Sequence, residues 1–201
     1  MESLEAELDR ARDLAVADLA DAIEAIGFEC TRCGAGCRGE AESADPHTAT
    51  VFPDEVRRLQ AADDDADWRD VARPMPYGLD DDGTGETFEW ALQTDACGDC
   101  VFFDETDCGG SCTVHPDRPL ICRTYPFSVA LGGTSQPMGQ PVDRSGLVRA
   151  HECEGLGRDI DREAAEELAA TLKSRAVREL EEALAVRSAY EPTPPESGGV
   201  V

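Results

Sequence analysis

Long apolar runs, basic stripes and aromatic residues are scarce in this sequence. Aromatic residues make up 5 % of its 201 residues, which limits the apolar surface that the middle of the chain can bury. No apolar run is long enough to span a bilayer, and no basic stripe with interleaved aromatics favours nucleic-acid binding. The stretch 1–22 lacks the basic and apolar segments of an export signal. We therefore expect a cytoplasmic protein that binds neither a membrane nor nucleic acid.

Positive charge is also scarce, and Lys173 is the single lysine. Aspartate and glutamate number 43 against 18 lysines and arginines, which gives a formal net charge of −25. Such a surface is typical of halophilic proteins, in which salt screens self-repulsion over a Debye length of about 3 Å at 1 M. An acidic platform for a basic partner is the alternative interpretation. The acidity alone therefore indicates adaptation to salt and does not indicate an activity.

Cysteine, in contrast, is abundant, with nine residues. Cys30, Cys33 and Cys37 lie two and three residues apart on a glycine-bearing turn, where small residues allow the thiolates to converge on one ion. Disulfides are the alternative, but they belong to oxidising compartments, and an odd number of cysteines resists complete pairing. Cysteines can also simply fill a core. We interpret the cluster as a metal or iron–sulfur site.

Two long helices are predicted at the ends of the chain. Apolar residues at steps of three and four predict one helix over 3–26, capped by Ser3 and ended by Gly27. The same periodicity predicts the longest helix over 161–189, which we expect to pack on the first one. Residues 190–201 lack apolar periodicity and predict a disordered tail.

Short elements are predicted between these helices. Residues 50–52 predict a strand that leads into a helix running from Pro53 through Leu59, and a short helix is expected near 68–72. Alternation over 88–92 predicts a half-buried strand, and 101–103 predicts another. The predicted fold class is α+β: a small, irregular, cysteine-rich and metal-stabilised domain with short strands, flanked by long terminal helices. The predicted units are an N-terminal amphipathic helix (1–28), a cysteine-cluster metal-binding domain (29–158), a C-terminal helix (159–189) and the tail (190–201).

The spacing of the later cysteines resembles a known family. Cys100-Val101-Phe102-Phe103 follows the first motif, Cys112 leads into the block Arg118-Pro119-Leu120-Ile121-Cys122-Arg123-Thr124-Tyr125-Pro126-Phe127, and Cys153 comes last. Over residues 28–157 the chain resembles the YkgJ-type cysteine-cluster proteins, a zinc- or iron-chelating domain. The resemblance implies that the metal ligands are Cys30, Cys33, Cys37, Cys100, Cys112, Cys122 and Cys153.

One departure from the family pattern affects the ligand count. The family commonly has two adjacent cysteines at the end of its first motif, whereas this chain has Gly36 before Cys37. Cys97 and Cys108 lie outside the matched positions. Either is a possible additional ligand that replaces the missing thiolate, and either is alternatively a plain thiol.

Charged and aromatic neighbours are expected to support the site. Four thiolates around a divalent ion leave a charge of about −2, and Arg32, Arg118 and Arg123 can compensate it. Of these, we expect Arg118 and Arg123 to contact the metal ligands. Backbone N–H groups at Gly34, Gly36 and Gly155 are expected to bond sulfur. Tyr125 is expected to pack beneath the site and not to react. Histidines are expected to be surface or supporting residues, with His115 and His151 better ligand candidates than His47.

Spacing leaves the metal open between zinc and an iron–sulfur cluster, with a slight preference for the cluster. Three functions follow: a metal-binding protein that serves as a redox or accessory module, a zinc-stabilised protein-interaction domain, or an enzyme. The enzyme hypothesis comes from a related cysteine domain in bacterial flagellin lysine N-methylases and implies S-adenosylmethionine and a protein lysine. We find no glycine-rich strand-to-helix turn that would bind this cofactor, and no catalytic residue is assigned.

Overall fold

A computed structural model of the chain contains helices and short antiparallel strands. It describes residues 3–39, 47–62, 66–77, 85–106, 109–131, 141–143 and 145–191. The helices are α1 (Leu4–Asp13), α2 (Val16–Ile26), α3 (Pro53–Gln60), α4 (Trp68–Val71), α5 (Leu120–Thr124) and α6 (Arg162–Ala189). The strands are β1 (Thr50–Val51), β2 (Ala72–Tyr77), β3 (Glu86–Leu92), β4 (Phe103–Thr106), β5 (Gly109–Cys112), β6 (Phe127–Val129) and β7 (Val148–Ala150). The fold class is α+β, as predicted.

The first hydrophobic core lies between the terminal helices. Helices α1 and α2 pack along α6, and the antiparallel pair β6–β7 covers the same core. Its largest fully buried apolar side chains include Phe127, Leu19, Ile23 and Leu172. The predicted packing of the C-terminal helix on the N-terminal region is confirmed.

The prediction of one N-terminal helix is wrong, because the structure contains two. Leu14 has ψ 127° and Ala15 has ψ 126°, so the backbone is extended between α1 and α2. The predicted ends are confirmed: the Ser3 side chain accepts a hydrogen bond from the N–H of Ala6, and Gly27 ends α2 with φ +76°. The break changes the direction of the chain, so that α1 and α2 each pack their own apolar face against α6.

The second hydrophobic core lies under a three-stranded sheet. Strand β3 is central, and both β1 and β2 pair with it in antiparallel fashion. Helices α3 and α4 lie between β1 and β2 in the chain, and both contribute side chains to this core. The rings of Trp68 and Trp90 meet edge to face, with their centroids 5.1 Å apart. The buried members of this core are Ala49, Val51, Val56, Leu59, Val71, Ala72, Leu92, Cys100 and Ile121.

Most short elements match the prediction. The strand before Pro53, the helices at 53–60 and 68–71, the strand over 86–92 and the long C-terminal helix are confirmed. The strand predicted at 101–103 is wrong in position, because Val101 and Phe102 form a turn and β4 begins at Phe103. From the predicted tail, residues 192–201 lie outside the described residues.

Buried polar side chains join the two cores. Arg175 on α6 is fully buried, where its Nη1 donates to Thr124 Oγ1 at 3.0 Å and to the carbonyl of Phe127 at 3.3 Å. The carboxylate of Glu55 on α3, 1 % exposed, accepts from the N–H of Phe52 at 3.1 Å and from that of Leu120 at 2.9 Å. Helix α5 is therefore fixed between α3 and α6. Within the described part of the chain, no helix combines the length and apolarity that crossing a membrane requires.

Candidate metal centre

Seven cysteines from distant parts of the chain line one cavity of about 280 Å³. The cavity lies beside the second core, and its walls also include the aromatic side chains of Phe28, Phe102, Phe103 and Tyr125. Thiols of soft character within apolar walls favour zinc or iron over hard cations. The seven cysteines are Cys30, Cys33, Cys37, Cys100, Cys112, Cys122 and Cys153.

A tight turn presents the first three cysteines to the cavity. Arg32 has φ +57° and Gly34 has φ +76°, so the backbone reverses twice between Cys30 and Cys37. The N–H of Cys37 donates to the carbonyl of Gly34 at 2.8 Å and closes a 3₁₀ turn over Ala35–Cys37. The left-handed conformation at Gly34 is easily adopted only by glycine. Local backbone geometry thus explains why a glycine, Gly34, lies between Cys33 and Cys37.

The remaining cysteines reach the cavity from separate elements. The N–H of Cys100 donates to the carbonyl of Cys37 at 2.8 Å, which joins the two cysteine segments directly. Cys112 ends β5, opposite Phe103 of β4, and Cys122 lies in α5. Cys153 follows β7, where its sulfur accepts from the N–H of Gly155 at 3.5 Å. This last contact confirms the expected glycine-to-sulfur bond at Gly155.

Burial and mutual proximity keep several thiols protonated. Burial and, to a smaller extent, the nearby thiols of Cys112, Cys33 and Cys30 together raise the pKa of Cys37 to about 11. Burial likewise raises the pKa of Cys100 to about 12, with contributions from Cys37 and Cys112. Cysteine binds metal ions as the thiolate, so loading this cavity with a metal ion would require these thiols to release protons.

The same neighbours surround Cys122. Burial is the largest cause of the strong upward shift of its thiol pKa, followed by the thiols of Cys100, Cys37 and Cys112. Arg118 opposes the shift at both Cys122 and Cys37. A guanidinium close to these sulfurs offsets part of the negative charge that thiolates would bring.

Arg118 and Arg123, predicted to support the ligands, both line the cavity, as does Arg32. The Nε of Arg118 donates to the carbonyl of His115 at 3.1 Å, which orients the guanidinium. Tyr125 also lines the cavity, and its hydroxyl donates to the carbonyl of Glu152. The residue after the proline, Phe127, is buried in the first core and does not line the cavity.

Of the two possible additional ligands, the structure describes only Cys97, which does not join this set. Cys97 is exposed in a turn, where its N–H donates to Asp95 Oδ1 at 2.8 Å, and it does not line the cavity. Cys108 lies outside the described residues. All eight described cysteines are free thiols.

The histidines are arranged differently from the expectation. His47, the least favoured in the sequence, lines the cavity together with His115. Burial lowers the pKa of His47 to about 4, helped by Arg73, so its imidazole is neutral. His151 is buried away from the cavity with its Nε2 2.9 Å from Ser128 Oγ. The two-residue spacing to Cys153 was therefore misleading.

The chemistry and number of the donors fit a zinc or iron centre, but the sulfurs are not gathered. Among the described side chains, no three from His, Cys, Asp or Glu stand in an arrangement that could hold a metal ion. Zinc–sulfur bonds are about 2.3 Å long. Rotation of a cysteine about χ1 among its three staggered positions changes where the sulfur lies without moving the backbone. Binding of a metal ion would therefore require the cysteine side chains to move toward one another.

Comparison with known proteins agrees with this chemistry. Neither the curated proteins nor the solved structures contain a match to the chain. Residues 29–154 match the CxxCxxCC family model, whose description is "Putative zinc- or iron-chelating domain". The matched range contains every cysteine that lines the cavity, and this chain therefore belongs to the CxxCxxCC family of zinc- or iron-chelating domains.

Proposed function

We propose that this protein binds an iron–sulfur cluster or zinc through the seven cysteines of the cavity and serves as a redox or accessory module. One observation carries the proposal: thiols from both ends of the matched region and from its middle line the same 280 Å³ cavity. Free cysteines seldom converge in this way for packing alone, because a core is filled more simply by aliphatic side chains.

The residues divide their tasks as follows. The cysteine thiolates supply the bonds to the metal. Arg118 offsets their charge, and its guanidinium already opposes the upward pKa shift of the thiols of Cys37 and Cys122. The N–H of Gly155 polarises the sulfur of Cys153. An iron–sulfur centre would supply electron transfer, whereas zinc would hold the polypeptide in shape. We place the protein in a reducing compartment, which keeps such thiols available.

A second function, a zinc-stabilised protein-interaction domain, is favoured by the position of three cysteines in the second core. Cys100 is 5 % exposed and belongs to this core, and Cys37 and Cys122 pack against it. A metal ion bound there would contribute directly to folding, because the unfolded chain does not preform the site. The same ligands therefore serve both functions, and the metal decides between them.

Purification under anaerobic conditions, followed by metal analysis, acid-labile sulfide assay and a visible spectrum, tests the proposal. Stoichiometric iron with sulfide selects the redox centre, and zinc without visible absorption selects the structural one. Cys122→Ser is expected to lower metal content and stability, whereas Cys97→Ser, the matched control outside the cavity, is expected to change neither. Absence of both metals from the reduced protein, or equal metal loss in the two variants, contradicts the proposal.

A further inference from the structure

The cysteines of the cavity fall into two groups with different surroundings. The inner group consists of Cys37, Cys100, Cys112 and Cys122, whose thiols lie within electrostatic range of one another, and Cys37 is also within range of Cys33 and Cys30. Three of the four belong to the second core or pack against it. The carbonyl of Cys37 accepts the N–H of Cys100, so the two segments that carry them are held side by side.

The outer group consists of Cys30, Cys33 and Cys153, and it lies next to the first core. Phe28 and Leu156 form an antiparallel bridge, and the N–H of Glu29 donates to the carbonyl of Gly155 at 3.0 Å. This pairing holds Cys30 and Cys153 on adjacent strands of backbone. Cys30 is exposed and Cys100 of the inner group is buried, while the other five cysteines of the cavity are half-buried, so the most accessible thiol belongs to the outer group.

Tyr125 marks the side of the cavity on which the outer group lies. Burial raises the pKa of its hydroxyl, and the thiols of Cys153 and Cys33 contribute, so the hydroxyl lies within electrostatic range of these two thiols. The hydroxyl donates to the carbonyl of Glu152, directly before Cys153. The ring is therefore fixed beside the outer group by a backbone contact of the segment that carries Cys153.

Gly36 lines the cavity next to the Tyr125 ring. A Cβ built on Gly36 would lie 3.4 Å from Cδ1 and from Cε1 of this ring, so a side chain there would lie against the ring. The contact is an ordinary van der Waals distance, and φ at Gly36 is not in the left-handed region, so the backbone accepts a side chain. The family name itself places a cysteine at this position of the motif.

Resting on the proposed function, we infer that the cavity contains two metal sites: a closed inner site of four thiolates, and an open outer site of three thiolates whose fourth position, beside Gly36, is taken by an exchangeable ligand from solution. That ligand is water or a small thiol. Closed tetrahedral sites of four thiolates are structural, whereas sites with three protein ligands accept an exogenous fourth one. The outer metal is therefore the one available to substrates or to metal exchange.

Zinc release to a chelating dye tests this arrangement. The full-length protein is reduced, freed of metal and loaded with Zn²⁺ under anaerobic conditions, and release is followed by the absorbance of the dye complex. We expect two zinc ions per chain, one released quickly and one slowly, and loss of the fast phase alone in Cys153→Ser. In Gly36→Cys the fast phase should slow at least about tenfold. Losing a hydrogen-bond partner of a metal ligand already changes metal affinity by about tenfold or more, and a direct ligand should matter at least as much. Ala35→Cys, the matched control beside Gly36 that does not line the cavity, should keep the fast phase.

Cobalt gives a second readout that does not depend on release rates. In the protein loaded with Co²⁺, added 2-mercaptoethanol should change the visible absorption bands of the wild type and of Ala35→Cys, but not those of Gly36→Cys. A single zinc ion per chain, one common release phase, or identical behaviour of the two cysteine insertions would overturn the two-site inference while metal binding itself stands. Failure to bind zinc, cobalt or iron at all would instead overturn the proposed function.

Discussion

The ring of Phe103 shows how single residues shape the cavity. A Cβ on Gly34 would lie 2.3 Å from Cε2 of this ring, and a Cβ on Gly110 would lie 2.1 Å from the same atom. Real Cβ atoms do not approach so closely, so both positions require glycine while the ring stays in place. The guanidinium of Arg38 lies 5.2 Å from the ring centroid and covers it. Phe103 thereby holds the first cysteine turn against the hairpin of β4 and β5.

Gly34→Ala is expected to be more destabilising than Gly146→Ala. Both glycines have positive φ, +76° and +87°, so each alanine costs about 1 kcal/mol in backbone strain. Only Gly34 also faces Phe103, and displacing that ring adds about 2 kcal/mol, because overpacking forces neighbours out of place. Gly146 has open space around it. Urea unfolding of the metal-free variants measures the difference, and equal losses would show that Phe103 yields without cost.

At the residue scale, the sequence predicted the seven cysteines that line the cavity, and their role as ligands stays a prediction. Spacing suggested that Cys30, Cys33 and Cys37 act together, and the structure adds the contact of Cys37 with Cys100, which local spacing does not indicate. His47 was missed because its place depends on distant partners: its N–H donates to the carbonyl of Gly98, and its carbonyl accepts from Arg73. Local spacing contains no signal for such contacts.

Helices and strands were predicted where the hydrophobic periodicity is strong, and they were missed where tertiary packing determines the local structure. Helix α6 and strand β3 follow clear apolar patterns, and both were found. Strand β2 contains Pro74 and Pro76, which disfavour a strand in isolation. It is at the edge of the sheet, paired only with β3, and this position tolerates proline. Strand β5 begins with two glycines, which weaken any sequence signal for a strand.

Helix α6 also carries a carboxyl group in an unfavourable setting. Burial raises the pKa of Glu182 to about 7, and the carboxylates of Glu89, Glu179 and Glu55 add to the shift against the opposing effect of Arg178. The folded protein thus holds a proton on Glu182 at pH values where the unfolded chain has released it. This group contributes stability below pH 4.5, the ordinary value, and the contribution is lost as the pH rises through about 7.

Glu182→Gln is accordingly expected to stabilise the protein at pH 8 and not at pH 4. Glutamine cannot ionise, so at pH 8 the variant avoids the buried charge and gains about 1 kcal/mol, a figure reduced from the full shift because the side chain is half-exposed to solvent. Glu167→Gln, an exposed position on the same helix, serves as the control and should change stability little at either pH. Thermal unfolding across this pH range measures the effect. A gain that does not vary with pH would point to a cause other than ionisation of Glu182.

At the scale of the molecule, the two hydrophobic cores formed by the described residues meet at the cysteine cavity. Cys30 and Cys153 sit on the segments of Phe28 and Leu156, which pack against the first core, whereas Cys100 belongs to the second. Apart from the cavity, Arg175 joins α6 to α5 across the boundary. With a net charge of −25, repulsion opposes the close approach of the two halves at low salt. Bonds from one metal ion to thiolates of both halves would instead tie the halves together where they meet.

Removing the metal is therefore expected to loosen the second core before the first. The first core is built on long helices and fully buried aliphatic side chains, while the second depends on a two-residue strand, short helices and the inner cysteines. A metal at 100 times its dissociation constant stabilises the folded state by about 2.7 kcal/mol. Removing the metal with a chelator should therefore accelerate hydrogen exchange of the amides of the second core by about 100-fold. Hydrogen exchange of the Cys100 amide, bonded to Cys37, reports on the second core, and amides of α2 and α6 report on the first. Salt is held constant and high, so that charge repulsion does not change between samples. Equal acceleration in both cores would mean that they unfold as one unit and that the metal stabilises the molecule globally.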